Sequence, residues 1–202
     1  MNSLEILLDQ ITAKLREWQQ PWALVGGLAV SVRTEPRFTR DLDLAVAVAD
    51  DAAAEALVHS LHGTGFFTLA TVEQEEKHRL ATVRIAPSGS RPQGLMLDLL
   101  FASSGIEAEV CMEAERLQVF PSLAVPVARI HHLMALKILA RDDRTRPQDV
   151  ADLRQLIAAA DPADLARADE ACRLIESRGF NRSRNLVQAL KDTWKEFRDD
   201  RQ

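Results

Sequence analysis

WALVGGLAVSVRTEPRFTRDLDLAVAV, Trp22 to Val48, is the stretch whose pattern decides the fold. Trp22 to Val25 is a short apolar run ending on Gly26 and Gly27, the pattern of a buried strand that meets a tight turn. Leu28 to Glu35 reads as a short helix stopped by Pro36. Thr39 to Val48 then reads as a strand, with Leu42, Leu44, Val46 and Val48 on one face and Asp41 and Asp43 on the other. Residues two apart on a strand lie on the same side, about 6.6 Å apart along the chain, so both carboxylates can be aimed at one place. Such oxygen-rich pairs suit magnesium, which shares its coordination between protein carboxylates and substrate phosphates. The triplet alone carries little weight, because 30 of 202 residues are acidic and about four acid-x-acid triplets arise by chance. The glycine pair ahead of it adds the weight. Glycines let the backbone approach phosphate oxygens, and free amides at a helix start favour negative charge.

Downstream, Asp50 caps a helix to about His62, and residues 66–71, 79–86 and 95–101 read as strands. The turn-rich PSGSRPQG between the last two makes that pair an antiparallel hairpin. Asp98 sits inside LMLDLLF, a strand otherwise entirely apolar, where an acid is costly unless paired, hydrogen-bonded or bound to a cation. If that strand lies beside the one with Asp41 and Asp43, three carboxylates converge: two can hold metal while the third activates a hydroxyl, as a base or through the same metal. The alternative for Asp98 is a salt bridge to Arg84 on the neighbouring strand. Arg37 and Arg40 flank the acid pair and serve equally as phosphate contacts or as charge balancers.

Outward from this centre, residues 3–19 form an amphipathic helix with Ser3 as its cap. A short helix covers 105–114 and a short strand 116–120, while PSLAVPV is an extended connector. Helices are expected at 129–141, 148–159, 163–178 and 183–198, the third opened by an Asp161 cap and Pro162. The fold class is α+β, a small mixed sheet with flanking helices (1–125) followed by a helical C-terminal part (126–202). At 47% hydrophobic and 27% charged the composition is globular, and no apolar run approaches the roughly 18 residues of a membrane span. Glu5 and Asp9 interrupt the N-terminal apolar pattern where a signal peptide would be unbroken. Cys111 and Cys172 lack the spacing of a disulfide framework or zinc knuckle, so reduced, cytoplasmic thiols are expected. The net charge of −5 argues against indiscriminate nucleic-acid binding, although Arg173 to Lys191 holds five basic residues and one acid. The five histidines, including His59, His62 and the adjacent His131 and His132, have no HExxH frame or cysteine partner, and metal binding by them is not expected. No GxSxG supports serine chemistry.

GGLAVSVRTEPRFTRDLDLAV followed by LMLDLLF resembles the DNA polymerase β-like nucleotidyltransferase superfamily, whose pattern is a Gly-Gly or Gly-Ser turn, a spacer, an acid-x-acid pair and a later third acid. VARIHHLMALKILARDDRTRPQDVADLRQL is similar to the lysine-then-Arg-x-x-Asp-x-x-Asp-Leu segment of the AbiEii-type toxin branch. The resemblance implies that Asp41 and Asp43 ligate Mg2+, with Mn2+ as the alternative ion, and that Asp98 is the third acid of that metal site. It implies a triphosphate held by Gly26 and Gly27, Lys137 on a phosphate of the incoming nucleotide, and Asp149 as the last acid of the motif, with Asp152 the second choice. Position 27 is Gly where many relatives have Ser, which leaves phosphate contact there to backbone amides. The implied activity is transfer of a nucleotidyl group from an NTP to an acceptor, an RNA or tRNA end, by a toxin with a partner antitoxin. An antibiotic-modifying nucleotidyltransferase would share fold and site. A nucleotide-binding module without turnover would share the fold alone, and the intact Asp41, Asp43, Asp98 and Lys137 count against it.

Overall fold

Every second residue of the acid-bearing strands is buried, and this alternation builds the sheet. The computed structural model describes residues 3–39, 41–75, 77–89, 94–142 and 147–199. Its strands are β1 (Trp22–Val25), β2 (Asp41–Val46), β3 (Phe66–Gln74), β4 (Arg79–Pro87), β5 (Met96–Leu100), β6 (Glu115–Phe120) and β7 (Leu123–Val127). They form one mixed sheet in the order β3-β4-β5-β2-β1-β7-β6, so β2 is its middle strand. β2 pairs antiparallel with β1 and parallel with β5, while β4 pairs antiparallel with β5, as the hairpin reading expects. Leu42, Leu44, Leu97, Leu99, Val83 and Ile85 are buried on one face, leaving Asp41, Asp43, Asp98 and Arg84 half-buried on the other.

Helices α1 (Ser3–Glu17), α2 (Gly26–Arg33), α3 (Asp51–His62) and α4 (Glu107–Met112) pack on the sheet. After the last strand come α5 (Ile130–Ala140), α6 (Pro147–Ala159), α7 (Pro162–Ser177) and α8 (Leu186–Asp199). α5 lies among α2, α6, α7 and α8 and is apolar on nearly all sides, as a helix surrounded by others must be. Two of the caps read from sequence are in place: Asp50 accepts from the Ala53 amide at 2.8 Å, and Asp161 and Asp164 form a reciprocal capping box at the start of α7; Ser3, read as a cap, is instead the first residue of α1.

Three elements differ from the expectation. The helix after β1 starts at Gly26, not Leu28, because Gly26 adopts φ +64° and turns strand into helix with no intervening loop. PSLAVPV is not a connector: Leu123, Val125 and Val127 alternate inward as β7, parallel to β1 and antiparallel to β6. Pro121 and Pro126 disguise that strand, but the β1 pairing is confined to Leu24 and Val127, so Pro126 has no ladder bond to lose there. β3 runs three residues beyond Thr71, to Gln74, as a largely exposed edge strand.

Leu44 is fully buried on the middle strand. Leu44→Ala is expected to cost roughly 2–5 kcal/mol of unfolding free energy. Urea denaturation reads this directly, and a loss below about 1 kcal/mol would mean that the site collapses onto the cavity.

Candidate active site

Two of the three acids singled out in the sequence meet along one row of the sheet. Register places Val25 opposite Asp43, Asp43 opposite Asp98, and Asp98 opposite Arg84, across β1, β2, β5 and β4. Asp41 sits two residues before Asp43, on the same side. Arg84 grips Asp98 with two hydrogen bonds, Nε to Oδ1 and Nη2 to Oδ2, both 2.7 Å. The salt-bridge alternative for Asp98 is therefore present in the structure, and it coexists with the convergence on Asp43. Hydrogen bonding to Asp98, helped by the fields of Asp41 and Asp43, drives the Arg84 guanidinium pKa upward. One Asp41 carboxylate oxygen, Oδ1, is buried without a hydrogen-bond partner among the described residues.

The glycines explain why this row is reachable. A Cβ on Gly26 would overlap the Asp43 carboxylate, so the strand-to-helix elbow lies directly against it. A Cβ on Gly27 would lie 2.5 Å from Arg37 Nη2. The space that a serine would use at position 27 is filled by the Arg37 guanidinium.

Lys137 is no solvated helix residue. Its side chain is 12% exposed, and Nζ contacts Asp149 Oδ1 at 2.6 Å and Asp152 Oδ2 at 2.7 Å. Asp152, fully buried, takes Arg37 through Nε and Nη2 at 2.8 Å each. Asp149 and Asp152, one turn apart on α6, thus face across to α5, and Asp152 also to the segment after α2, while Gln148 of the same helix donates to Asp152 Oδ1 at 3.3 Å. Burial pushes the Asp152 carboxyl up, but the hydrogen bonds from Arg37 and Lys137 outweigh it and hold it below the usual carboxylate range.

Two cavities meet at this row. A polar trough of about 620 Å3 is lined by Gly27, Arg37, Asp41, Arg84 and Asp149, and a narrower pocket of about 230 Å3 by Gly26, Leu100, Leu133, Leu136 and Arg182. Asp43, Asp98 and Lys137 border both. The pocket walls Leu100, Leu133 and Leu136 were not singled out in the sequence, although Leu133 lies four residues before Lys137 and so shares its helix face. Arg40 lies outside the described residues. The basic run near the C-terminus is largely committed: Arg173 and Lys191 pair with Asp169, Arg178 with Glu109, and Arg184 donates to the Leu139 and Arg141 carbonyls. Burial pushes both the Cys111 and Cys172 thiols up to about 12, which removes them as nucleophiles at neutral pH.

Because Asp152 has a depressed pKa in the folded chain, its contribution to stability is complete above the unfolded value of about 3.9. It is lost as pH falls through the folded-state pKa. Asp152→Ala is expected to lose roughly 3–5 kcal/mol at pH 7, since two cations are left short of a partner. In urea unfolding series from pH 7 to pH 3, the gap between wild type and variant should narrow below pH 4; a gap independent of pH would show that charge is not its cause.

Comparison with solved structures gives the fold a context. An antigenic nucleotidyltransferase-like protein from Paracoccidioides brasiliensis is 19% identical, with a TM-score of 0.56 over 93% of this chain and 92% of its own. The antibiotic-resistance factor ANT(2'')-Ia, in its complex with adenylyl-2''-tobramycin, is 16% identical, with a TM-score of 0.50 over 100% of both chains. The solution structure of the same factor is 17% identical, with a TM-score of 0.50 over 99% of this chain and 94% of that one. No curated protein matches the chain. At these identities the likeness is one of fold. The family comes from the sequence itself: the model described as "Nucleotidyl transferase AbiEii toxin, Type IV TA system" matches residues 7–201. The chain belongs to the AbiEii nucleotidyl transferase toxin family of type IV toxin–antitoxin systems.

Proposed function

We propose that this nucleotidyltransferase takes a nucleoside triphosphate with Mg2+, Mn2+ being the alternative ion, and transfers the nucleotidyl group to a hydroxyl of RNA, in particular a tRNA end. The observation that carries the reading is the placement of three carboxylates beside a phosphate-sized elbow: Asp41, Asp43 and Asp98 share one face of the sheet, and Gly26 lies directly against the Asp43 carboxylate. All the donor atoms are carboxylate oxygens, the set a hard divalent cation takes. The orphaned Asp41 Oδ1 supports the fit. Asp41, Asp43 and Asp98 would hold the ion, which when bound supplies positive charge against the α-phosphate and the departing pyrophosphate.

The chain's own groups account for the rest of the chemistry. The amides opening α2 at Gly26 and Gly27 receive phosphate oxygens. Arg37 and Lys137 are neutralised at rest by Asp149 and Asp152, so an incoming triphosphate exchanges with these carboxylates for the same cations. Leu100, Leu133 and Leu136 offer flat apolar contact to a nucleobase in the narrower pocket. The acceptor oxygen bonds to the α-phosphorus, and the α-phosphorus bond to the β-bridging oxygen breaks, its electron pair leaving with pyrophosphate. The hydroxyl proton passes to Asp98, which acts as base once Arg84 turns from it toward the phosphates. RNA as acceptor, and an antitoxin as the controlling partner, follow from the branch the sequence resembles.

Incubation with α-labelled nucleoside triphosphates and total cellular RNA tests this. Label is expected in RNA, lost with a chelator, and lowered by roughly a thousandfold in Asp43→Ala, the several kcal/mol that removing charge stabilisation costs. Equal labelling by the variant would overturn the site. Label in an added aminoglycoside but not in RNA would overturn the acceptor.

A further inference from the structure

The histidines set aside in the sequence are brought together with an acid well away from the row of aspartates in the chain. We propose that Glu113, His131 and His132 form a second metal site, taking one borderline divalent cation such as Zn2+ where the end of α4 meets the starts of α5 and α7. Each of the three offers a ligand atom, and these atoms all lie within 4.8 Å of one another. Tetrahedral bonds of 2.0–2.2 Å need ligand atoms roughly 3.3 Å apart, so closure asks for a movement of about 1.5 Å at most. Glu113, with its side chain 40% exposed at the end of α4, has the freedom to supply it.

The histidines themselves are fixed. His131 and His132 are 2% and 4% exposed on the first turn of α5, with ring centroids 4.3 Å apart. His131 Nε2 faces Glu113 Oε2 at 3.3 Å, the direction in which a shared cation would lie. Its other nitrogen, Nδ1, faces Asp164 Oδ1 at 3.8 Å. Asp164 is held there by the α7 capping box, its Oδ2 accepting from the Asp161 amide at 3.2 Å. At 3.8 Å Asp164 is beyond hydrogen-bond reach of that ring and acts on it through its charge. His132 Nδ1 is buried with no hydrogen-bond partner among the described residues, a polar atom whose desolvation nothing in the chain offsets. A cavity of about 280 Å3 lined by Glu113, His131, His132 and Arg167 adjoins the cluster, leaving room for a water in the fourth position.

Electrostatics are compatible with a cation. Burial pushes both imidazole pKa values down, against the opposing pull of Glu113. Glu113, Glu109 and Asp164 face the pair from α4 and α7. The opposing cations are Arg129, committed to Glu115 at 2.7 Å and to the Glu113 carbonyl at 2.9 Å, and Arg167. Two imidazoles and one carboxylate match zinc, cobalt or nickel and not magnesium. The bound ion would tie the end of α4 to α5, the helix that carries Lys137.

The test is titration of metal-stripped full chain with ZnCl2 and, separately, MgCl2 by calorimetry, together with cobalt substitution read in the visible spectrum. Wild type should bind one zinc per chain, show four-coordinate cobalt bands and gain thermal stability with zinc. Glu113→Gln, an exposed change that spares the helices, should bind at least tenfold more weakly, and His132→Asn should lose the bands; circular dichroism of both confirms folding. Asp43→Ala should retain the zinc. No uptake of zinc, uptake unchanged in Glu113→Gln, or uptake abolished by Asp43→Ala would each overturn the proposal.

Discussion

Parallel pairing of β2 with β5 is the constraint on which the rest of the structure depends. It sets Asp43 beside Asp98 in the interior of a seven-stranded sheet, with Asp41 on the same face. Like charges on neighbouring central strands repel and are costly to desolvate. The apolar face beneath them, with Leu42, Leu44, Leu97 and Leu99 all fully buried, holds the register, because a one-residue slip would exchange leucines for aspartates across the sheet. The hydrophobic core thus enforces an electrostatic arrangement that would not form unaided. Arg84 relieves part of that repulsion through its paired hydrogen bonds to Asp98.

A second electrostatic unit ties the helices to that sheet. Lys137 on α5 and Arg37 after α2 share Asp152 of α6, and Lys137 also holds Asp149. The four charges balance, which explains how an ionic cluster persists among fully buried apolar neighbours such as Leu153 and Ile138. Balance also makes the cluster responsive. Under the proposed function, a triphosphate arriving in the trough would compete for Arg37 and Lys137, which would link binding to the packing of α5 against α6 through the same bonds.

Much of this was legible in the sequence, for local reasons. The period-two pattern from Leu42 to Val46, the lone acid in LMLDLLF and the capping signals at Asp50 and Asp161 each contain their own explanation, and each element formed where the pattern put it. What was not legible depends on contacts distant in sequence. Pro121 and Pro126 hid β7 because a strand can keep a proline only if its neighbour asks for no bond there, and the neighbour is β1, about a hundred residues away. Lys137 read as either surface or site, and the approach of α6 removes the surface reading by pairing it with Asp149 and Asp152. Gly27 read as a missing serine, whereas Arg37 fills that space. His131 and His132 read as a helix start because Glu113, the third member of their cluster, lies on a different helix end.

The positions of the two clusters separate hard from borderline chemistry. Around the sheet row every candidate ligand is a carboxylate oxygen, next to amides and cations suited to phosphates, and such a site selects ions that bind oxygen and keep waters for substrate. The imidazoles are buried at the opening of α5, five or more residues before Lys137, with a carboxylate behind one ring. A cation bound by the proposed nitrogen ligands would join the end of α4 to α5. If both proposed sites take their ions, their ligands do not compete, since one set is carboxylate oxygens on the sheet and the other is led by imidazoles, and α5 carries both the histidine pair and the lysine that faces the trough.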